Sequence, residues 1–162
     1  MKHSGIIGVI GASIAEVKDE NIAYEIGQEI ALEGYMLLCG GMGGIMEAAC
    51  RGAKSNNGTT IGILPGENSS DANKYIDIPI VTGISHARNI IIVRSCDVII
   101  AVGGEFGTLS EIAFALKLNK PVIGINTWNV SESIIKADNA KQAVAKAVEH
   151  IAVISNNIKL WS

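Results

Sequence analysis

The sequence has 162 residues, is 48% hydrophobic but only 4% aromatic, and carries a formal net charge of -3. That length suits one domain with one sizeable core, and the absence of any basic run argues against nucleic acid as a partner. No apolar stretch approaches the roughly 20 residues of a membrane span, and the run from Ile6 to Ile10 is too short for a signal peptide.

Ile, Val and Ala supply most of the apolar content, which suits buried parallel strands covered by helices. The three cysteines, Cys39, Cys50 and Cys96, have no short paired spacing. They read as reduced thiols of a cytoplasmic protein. The three histidines are scattered, so no metal site is expected.

In chain order, Gly5 to Gly11 is a first strand, followed by the tight turn Gly11-Ala12-Ser13. Asp19 is a plausible helix start, and Ile22, Ile26 and Ile30 recur at helical spacing up to Gly34. Tyr35 to Cys39 is a second strand. Gly40-Gly41-Met42-Gly43-Gly44 leads from it into a small-residue helix, Ile45 to Ala53, ended by Asn56-Asn57-Gly58. Thr59 to Leu64 is a third strand, stopped by Pro65-Gly66. Glu67 to Lys74 reads as a polar loop. Tyr75 to Val81 is a short fourth strand in which Pro79 suggests irregularity or an exposed side.

Ser85 to Ser95 is ambiguous, because Ile90-Ile91-Ile92-Val93 is β-branched. A strand must follow at Asp97 to Val102, with too little chain between for a parallel crossover, so the segment is predicted helical. Gly107 to Leu118 is a helix, Asn119-Lys120-Pro121 a turn, and Val122 to Ile125 a sixth strand. Asn126 to Ser133 is a loop. Asp138 to Ile151 is a final helix with Ala140, Val144, Ala147, Val148 and Ile151 inward. The tail from Ala152 to Ser162, with Ile154, Ile158, Leu160 and Trp161, is apolar enough to dock. The alternation predicts an α/β, doubly wound, mostly parallel Rossmann-like sheet of about six strands with helices on both faces.

In such a sheet the turns after successive strands share one edge. Gly11 and Ser13, then Gly40, Gly41, Gly43 and Gly44, then Gly103, Gly104, Gly107 and Thr108 all fall there. Glycine turns at helix starts bring unpaired N–H groups and a positive dipole end to an anion. The spacing matches neither the nicotinamide fingerprint nor the P-loop. Three such turns together point to a phosphorylated ligand. Arg88 follows the fourth strand on the same edge and can match a phosphate with its planar fork. His86 is either a ligand contact or a polar helix-start residue. Glu111 is either an acid favoured in a helix's first turns or a chemical group, and Glu47 holds the equivalent place one helix earlier.

Gly103-Gly104-Glu105-Phe106-Gly107-Thr108-Leu109-Ser110-Glu111 resembles the PGGxGTxxE motif of the Lonely Guy family, also called lysine decarboxylase-like. Gly40 to Met46 resembles that family's GGGxxGLM segment. The resemblance runs from the first strand to about Val122. It implies a phosphoribohydrolase that cleaves the N-glycosidic bond of a nucleoside 5′-monophosphate, with Arg88 and Glu111 catalytic. It also implies a homodimer or homotetramer. Three departures matter: Val102 stands for the motif's proline, Asn89 for the lysine after the arginine, and the chain is short. These look closer to a sister group that includes the molybdenum-cofactor carrier proteins, which bind a phosphorylated pterin without turning it over. That likeness implies that this chain requires no cofactor of its own and takes the molybdenum cofactor as bound cargo. In the hydrolase reading, Arg88 lowers the pKa of Glu111, so Glu111 acts as an anion or base. No general acid is evident there unless His86 serves.

Overall fold

The computed structural model describes residues 5–159 and contains one seven-stranded sheet. The strands are β1 (Ile6–Gly11), β2 (Met36–Cys39), β3 (Thr60–Leu64), β4 (Ile78–Val81), β5 (Val98–Val102), β6 (Val122–Ile125) and β7 (Ile135–Lys136). The helices are α1 (Val17–Leu32), α2 (Ile45–Ser55), α3 (Asn89–Ser95), α4 (Phe106–Lys117) and α5 (Ala140–Lys159). The spatial order is β4-β3-β2-β1-β5-β6-β7, and every neighbouring pair is parallel.

The central strands are buried on both faces, as a parallel sheet between helical layers requires. Side chains alternate strictly between two cores. Ile7 and Val9 of β1 and Val98, Ile100 and Val102 of β5 face one layer, where α1, α2 and α5 pack. Ile10 of β1 and Ile99 and Ala101 of β5 face the other, where α3 and α4 pack. In the first layer α1 and α2 approach very closely. A Cβ on Gly27 would lie 1.9 Å from the carbonyl oxygen of Ala49, so only glycine fits there.

The segment with β-branched residues is helical, as the crossover argument requires. A 3-10 turn at Ser85–Arg88 runs directly into α3, whose Ile92 and Val93 are fully buried. The sheet has seven strands where six were expected. The seventh, β7, has two residues, too short for any alternation to be legible, and it pairs with β6 at Ile123↔Ile135 and Gly124↔Lys136.

Helix α1 begins at Val17, two residues before Asp19, which sits in its first turn. The loop from Glu67 to Lys74 holds a 3-10 turn at Ser69–Asp71 and is tied down by Asn73. Edge strand β4, with Pro79, is exposed along its length. The described part of the tail continues α5 to Lys159, with Val153 and Ile154 exposed. The side chain of Ile158 and the whole of Leu160 and Trp161 lie outside the described residues. Among the described residues, no helix is long and apolar enough to cross a membrane.

Candidate functional site

Strand order reverses between β1 and β5, with β2 to β4 laid to one side and β6 and β7 to the other. A parallel sheet opens a crevice outside the carboxyl ends of its strands at such a point. A cavity of about 350 Å³ lies there. One wall is the end of β1 with Gly11, Ala12 and Ser13. Gly40, Met42 and Met46 come from the β2–α2 connection, and Pro65, Ser85, His86, Arg88 and Asn89 from the far side. Glu105, Gly107, Thr108 and Glu111 come from the β5–α4 connection.

The cavity therefore gathers Gly11, Ser13, Gly40, His86, Arg88, Gly107, Thr108 and Glu111 from four separate segments. It does not gather every glycine of the three turns. Gly103 and Gly104 face a neighbouring groove with Asp19 and Trp128, and Gly44 faces a third, beside Glu47 and Arg51. Gly41 and Gly43 lie outside the cavity lining. These residues shape the loops instead. Gly103 and Gly104 have φ of 53° and 113°, which turns the chain from β5 toward α4. The carbonyl oxygens of that turn are engaged away from the cavity. Thr127 Oγ1 donates to Gly103 O at 2.5 Å, and Trp128 Nε1 donates to Glu105 O at 3.2 Å. Helix α4 then starts at Phe106 with no side-chain cap from Glu105, so its first N–H groups lack an intrahelical partner. The β1–α1 and β2–α2 loops are joined directly, because Ile45 N–H donates to Ala12 O at 3.1 Å.

Arg88 dominates the electrostatics. It is only 8% exposed. Its Nη1 donates to Asn89 Oδ1 at 3.2 Å, and its Nε has no hydrogen-bond partner among the described residues. A Cβ on Gly40 would lie 2.6 Å from Nη1 and 2.7 Å from Nη2, so the guanidinium rests against a backbone that only glycine leaves open. Glu111 Oε1 is 3.9 Å from Nη1, too far for a hydrogen bond.

Burial lowers the arginine's pKa, but a guanidinium stays charged across the working range. The same burial acts on Glu111, which is 6% exposed. Desolvation pushes its carboxyl up to about 8, and the opposing attraction of Arg88 is the smaller effect. This overturns the expectation that the arginine would hold Glu111 as an anion. At neutral pH the pair is a cation beside a protonated acid, and both groups are donors.

Asn89 has a role that its identity alone does not announce. It is buried, accepts from Arg88, and donates through Nδ2 to Ser110 Oγ at 2.9 Å. Ser110 Oγ in turn donates to Gly107 O at 2.6 Å. This relay fixes Arg88 relative to the start of α4. The sequence signal was available, since Asn89 stands between Arg88 and an apolar run, where the resembling family has a lysine. Asn73 was also missed: its Nδ2 donates to Met42 O at 2.9 Å and its N–H to Gly41 O at 2.8 Å, clamping the β2–α2 loop. His86 is exposed at the rim, Arg94 points to solvent away from the cavity, and Glu47 lies outside it. Among the described residues, no three His, Cys, Asp or Glu side chains converge as a metal site.

The model of the SLOG cluster4 family matches residues 4–154. An uncharacterized protein of Archaeoglobus fulgidus is 45% identical over 138 residues, covering 85% of this chain and 91% of its own. The molybdenum cofactor binding protein of the phototrophic bacterium Rippkaea orientalis superposes with a TM-score of 0.87 at 42% identity, over 93% of this chain and 99% of that one. The molybdenum cofactor carrier protein of Chlamydomonas reinhardtii gives 0.85 at 37% identity, over 91% and 98%.

The raised pKa of Glu111 makes stability depend on pH. The folded chain holds this proton up to about pH 8, whereas an unfolded glutamate releases it near 4.5. Between those values the folded state binds more protons, so its stability falls as pH rises, by a few kcal/mol in all. Glu111→Gln is expected to flatten that decline in urea denaturation followed across the window. An identical pH dependence in the variant and the parent would show that Glu111 is ionised in the folded chain.

Proposed function

The chain belongs to the SLOG cluster4 family, and we propose on that footing that it binds a phosphorylated, pterin- or nucleotide-like small molecule and carries it unchanged, with the molybdenum cofactor as its cargo. The observation that carries this reading is the state of Arg88. A buried cation with an unpartnered Nε, beside a carboxyl that burial keeps protonated, has no internal counter-ion at neutral pH. An anion entering the cavity supplies one, and uncompensated buried charge is costly enough to make that entry favourable.

The residues divide the work. Arg88 takes the phosphate or another anionic oxygen with its guanidinium. Gly107 and Thr108 offer N–H groups at the positive end of α4, and Thr108 adds a hydroxyl. Protonated Glu111 donates a further hydrogen bond. Gly11, Ser13 and Gly40 line the floor and walls, where a backbone without bulky side chains admits the ligand. Gly41, Gly43, Gly44, Gly103 and Gly104 hold the loops in place. Similarity to the two structures named above supports the choice of cargo, since their names describe molybdenum cofactor binding and carrying.

The alternative, a phosphoribohydrolase, needs Glu111 as an anion to stabilise positive charge developing on ribose. Its protonation in the free cavity works against that role.

Incubation with molybdenum cofactor released from a molybdoenzyme is expected to give a retained, chemically unchanged ligand. Arg88→Ala is expected to weaken retention about 10–100-fold through loss of charge-assisted hydrogen bonds. Release of free base and ribose 5-phosphate from nucleoside monophosphates, abolished in Glu111→Ala, would establish the hydrolase instead.

We also propose a homo-oligomer. Ile78, Ile80, Val81 and Ile84 leave the β4 edge apolar and exposed, which a parallel strand seldom tolerates uncovered. Sedimentation should give a dimer or tetramer that Ile80→Lys weakens. A monomer at micromolar concentration would contradict it.

A further inference from the structure

Cys39 ends β2, and Cys50 lies on the face of α2 that packs over it. Their Sγ atoms are 3.5 Å apart, and both side chains are fully buried. The pair sits beneath the loop that supports Arg88. Gly41 N–H donates to Cys39 Sγ at 3.3 Å, and the residue between them, Gly40, is the one against which the guanidinium rests. Asn73 clamps the same loop from outside through Gly41 O and Met42 O.

We propose that Cys39 and Cys50 are an oxidisable pair whose disulfide draws the Gly40–Gly44 loop out of register with Arg88 and so weakens the anion site. The inference rests on the reading of the cavity as an anion site.

The two thiols are not equivalent. Cys39 shares a hydrogen bond with Cys50, accepts the Gly41 N–H and lies in the field of Arg88, and together these hold its thiol below the ordinary value despite burial. Cys50 is pushed the other way, first by its hydrogen bond to Cys39 and then by burial, so it keeps its proton. The Gly41 N–H points to Cys39 and not to Cys50, so Cys39 is assigned as the nucleophile and Cys50 as the resolving thiol. Cys96 is pushed up by burial, makes no hydrogen bond to another thiol among the described residues, and stays out of the reaction.

The oxidant is a peroxide. The Cys39 sulfur attacks one peroxide oxygen, the O–O bond breaks, and Cys39 sulfenic acid and water form. The Cys50 sulfur then attacks the sulfenic sulfur, its proton leaves with the displaced oxygen as a second water, and the S–S bond forms. Two thiols and one peroxide become one disulfide and two waters. A small dithiol reverses the step by exchange.

The geometric consequence follows from distance. The sulfurs must close from 3.5 Å to about 2 Å. Cys39 Sγ then leaves the Gly41 N–H, and the loop loses an anchor one residue from the arginine's seat. Gly40, the chain neighbour of Cys39, lines the cavity, so the peroxide approaches from that side.

The test uses the whole protein with hydrogen peroxide and, as the anion, inorganic phosphate. Oxidation is expected to lower the intact mass by about 2 Da and to give a peptide linking Cys39 to Cys50, not Cys96. The phosphate concentration giving half-maximal protection against thermal unfolding should rise roughly tenfold and return after dithiothreitol. Cys50→Ser should form no disulfide and keep its phosphate response after peroxide. Absence of the linked peptide, an unchanged phosphate response in the disulfide form, or equal loss in Cys50→Ser would each overturn the proposal. Failure of phosphate to protect the reduced protein would instead overturn the anion-site reading.

Discussion

A charge kept out of water and left without a counter-ion is the constraint around which this structure is arranged. Arg88 is buried at the carboxyl edge of the sheet, and each neighbour answers to it. Gly40 yields its side chain so that the guanidinium can rest on backbone. Asn89 turns its amide oxygen to the fork and passes its other end to Ser110, so the arginine and the start of α4 hold one geometry. Glu111 stands close enough to neutralise the cation but is so deeply buried that it retains its proton. A surface ion pair would have been worth little and would have asked nothing of a ligand. A buried, half-satisfied arginine asks for an anion.

The sheet makes that arrangement possible. Parallel strands send every β-to-α connection to one edge, and the reversal between β1 and β5 parts two of those connections into a crevice. The cores beneath are apolar and buried on both faces, so the loops above rest on a packed floor. Thr127 and Trp128 draw two carbonyl oxygens of the β5–α4 loop outward, and the helix start is left to present donors. Function is concentrated in loops whose positions the core decides.

Much of the fold was legible in the sequence, because the strands are apolar runs with glycine punctuation and α1 carries isoleucines at period four. The crossover argument resolved Ser85 to Ser95, where local propensity misleads. Two-residue β7 was not legible, since a strand that short is made by its partner β6 and not by its own pattern. The site was legible as a set of segments. Arg88, Glu111, Thr108, Gly107, Gly40, Gly11 and Ser13 do meet around one cavity. The division of labour among the glycines was not, because spacing says which residues share an edge but not which backbone faces inward. The charge state of Glu111 was not legible either. Adjacency to an arginine is visible in a motif, whereas depth of burial is a property of the packed chain, and here depth outweighs adjacency. Asn89 illustrates the same limit: its value lies in a contact with Ser110, 21 residues away.

The claim that Arg88 awaits an anion is tested most directly at the atom that lacks a partner. With arginine labelled at Nε, the Arg88 Nε–H resonance is assigned by its loss in Arg88→Lys and followed at neutral pH. On addition of inorganic phosphate or a phosphate monoester, it should shift downfield and become protected from solvent exchange, in step with protection against thermal unfolding. A resonance that neither shifts nor gains protection while phosphate stabilises the fold would place the anion elsewhere and contradict the account.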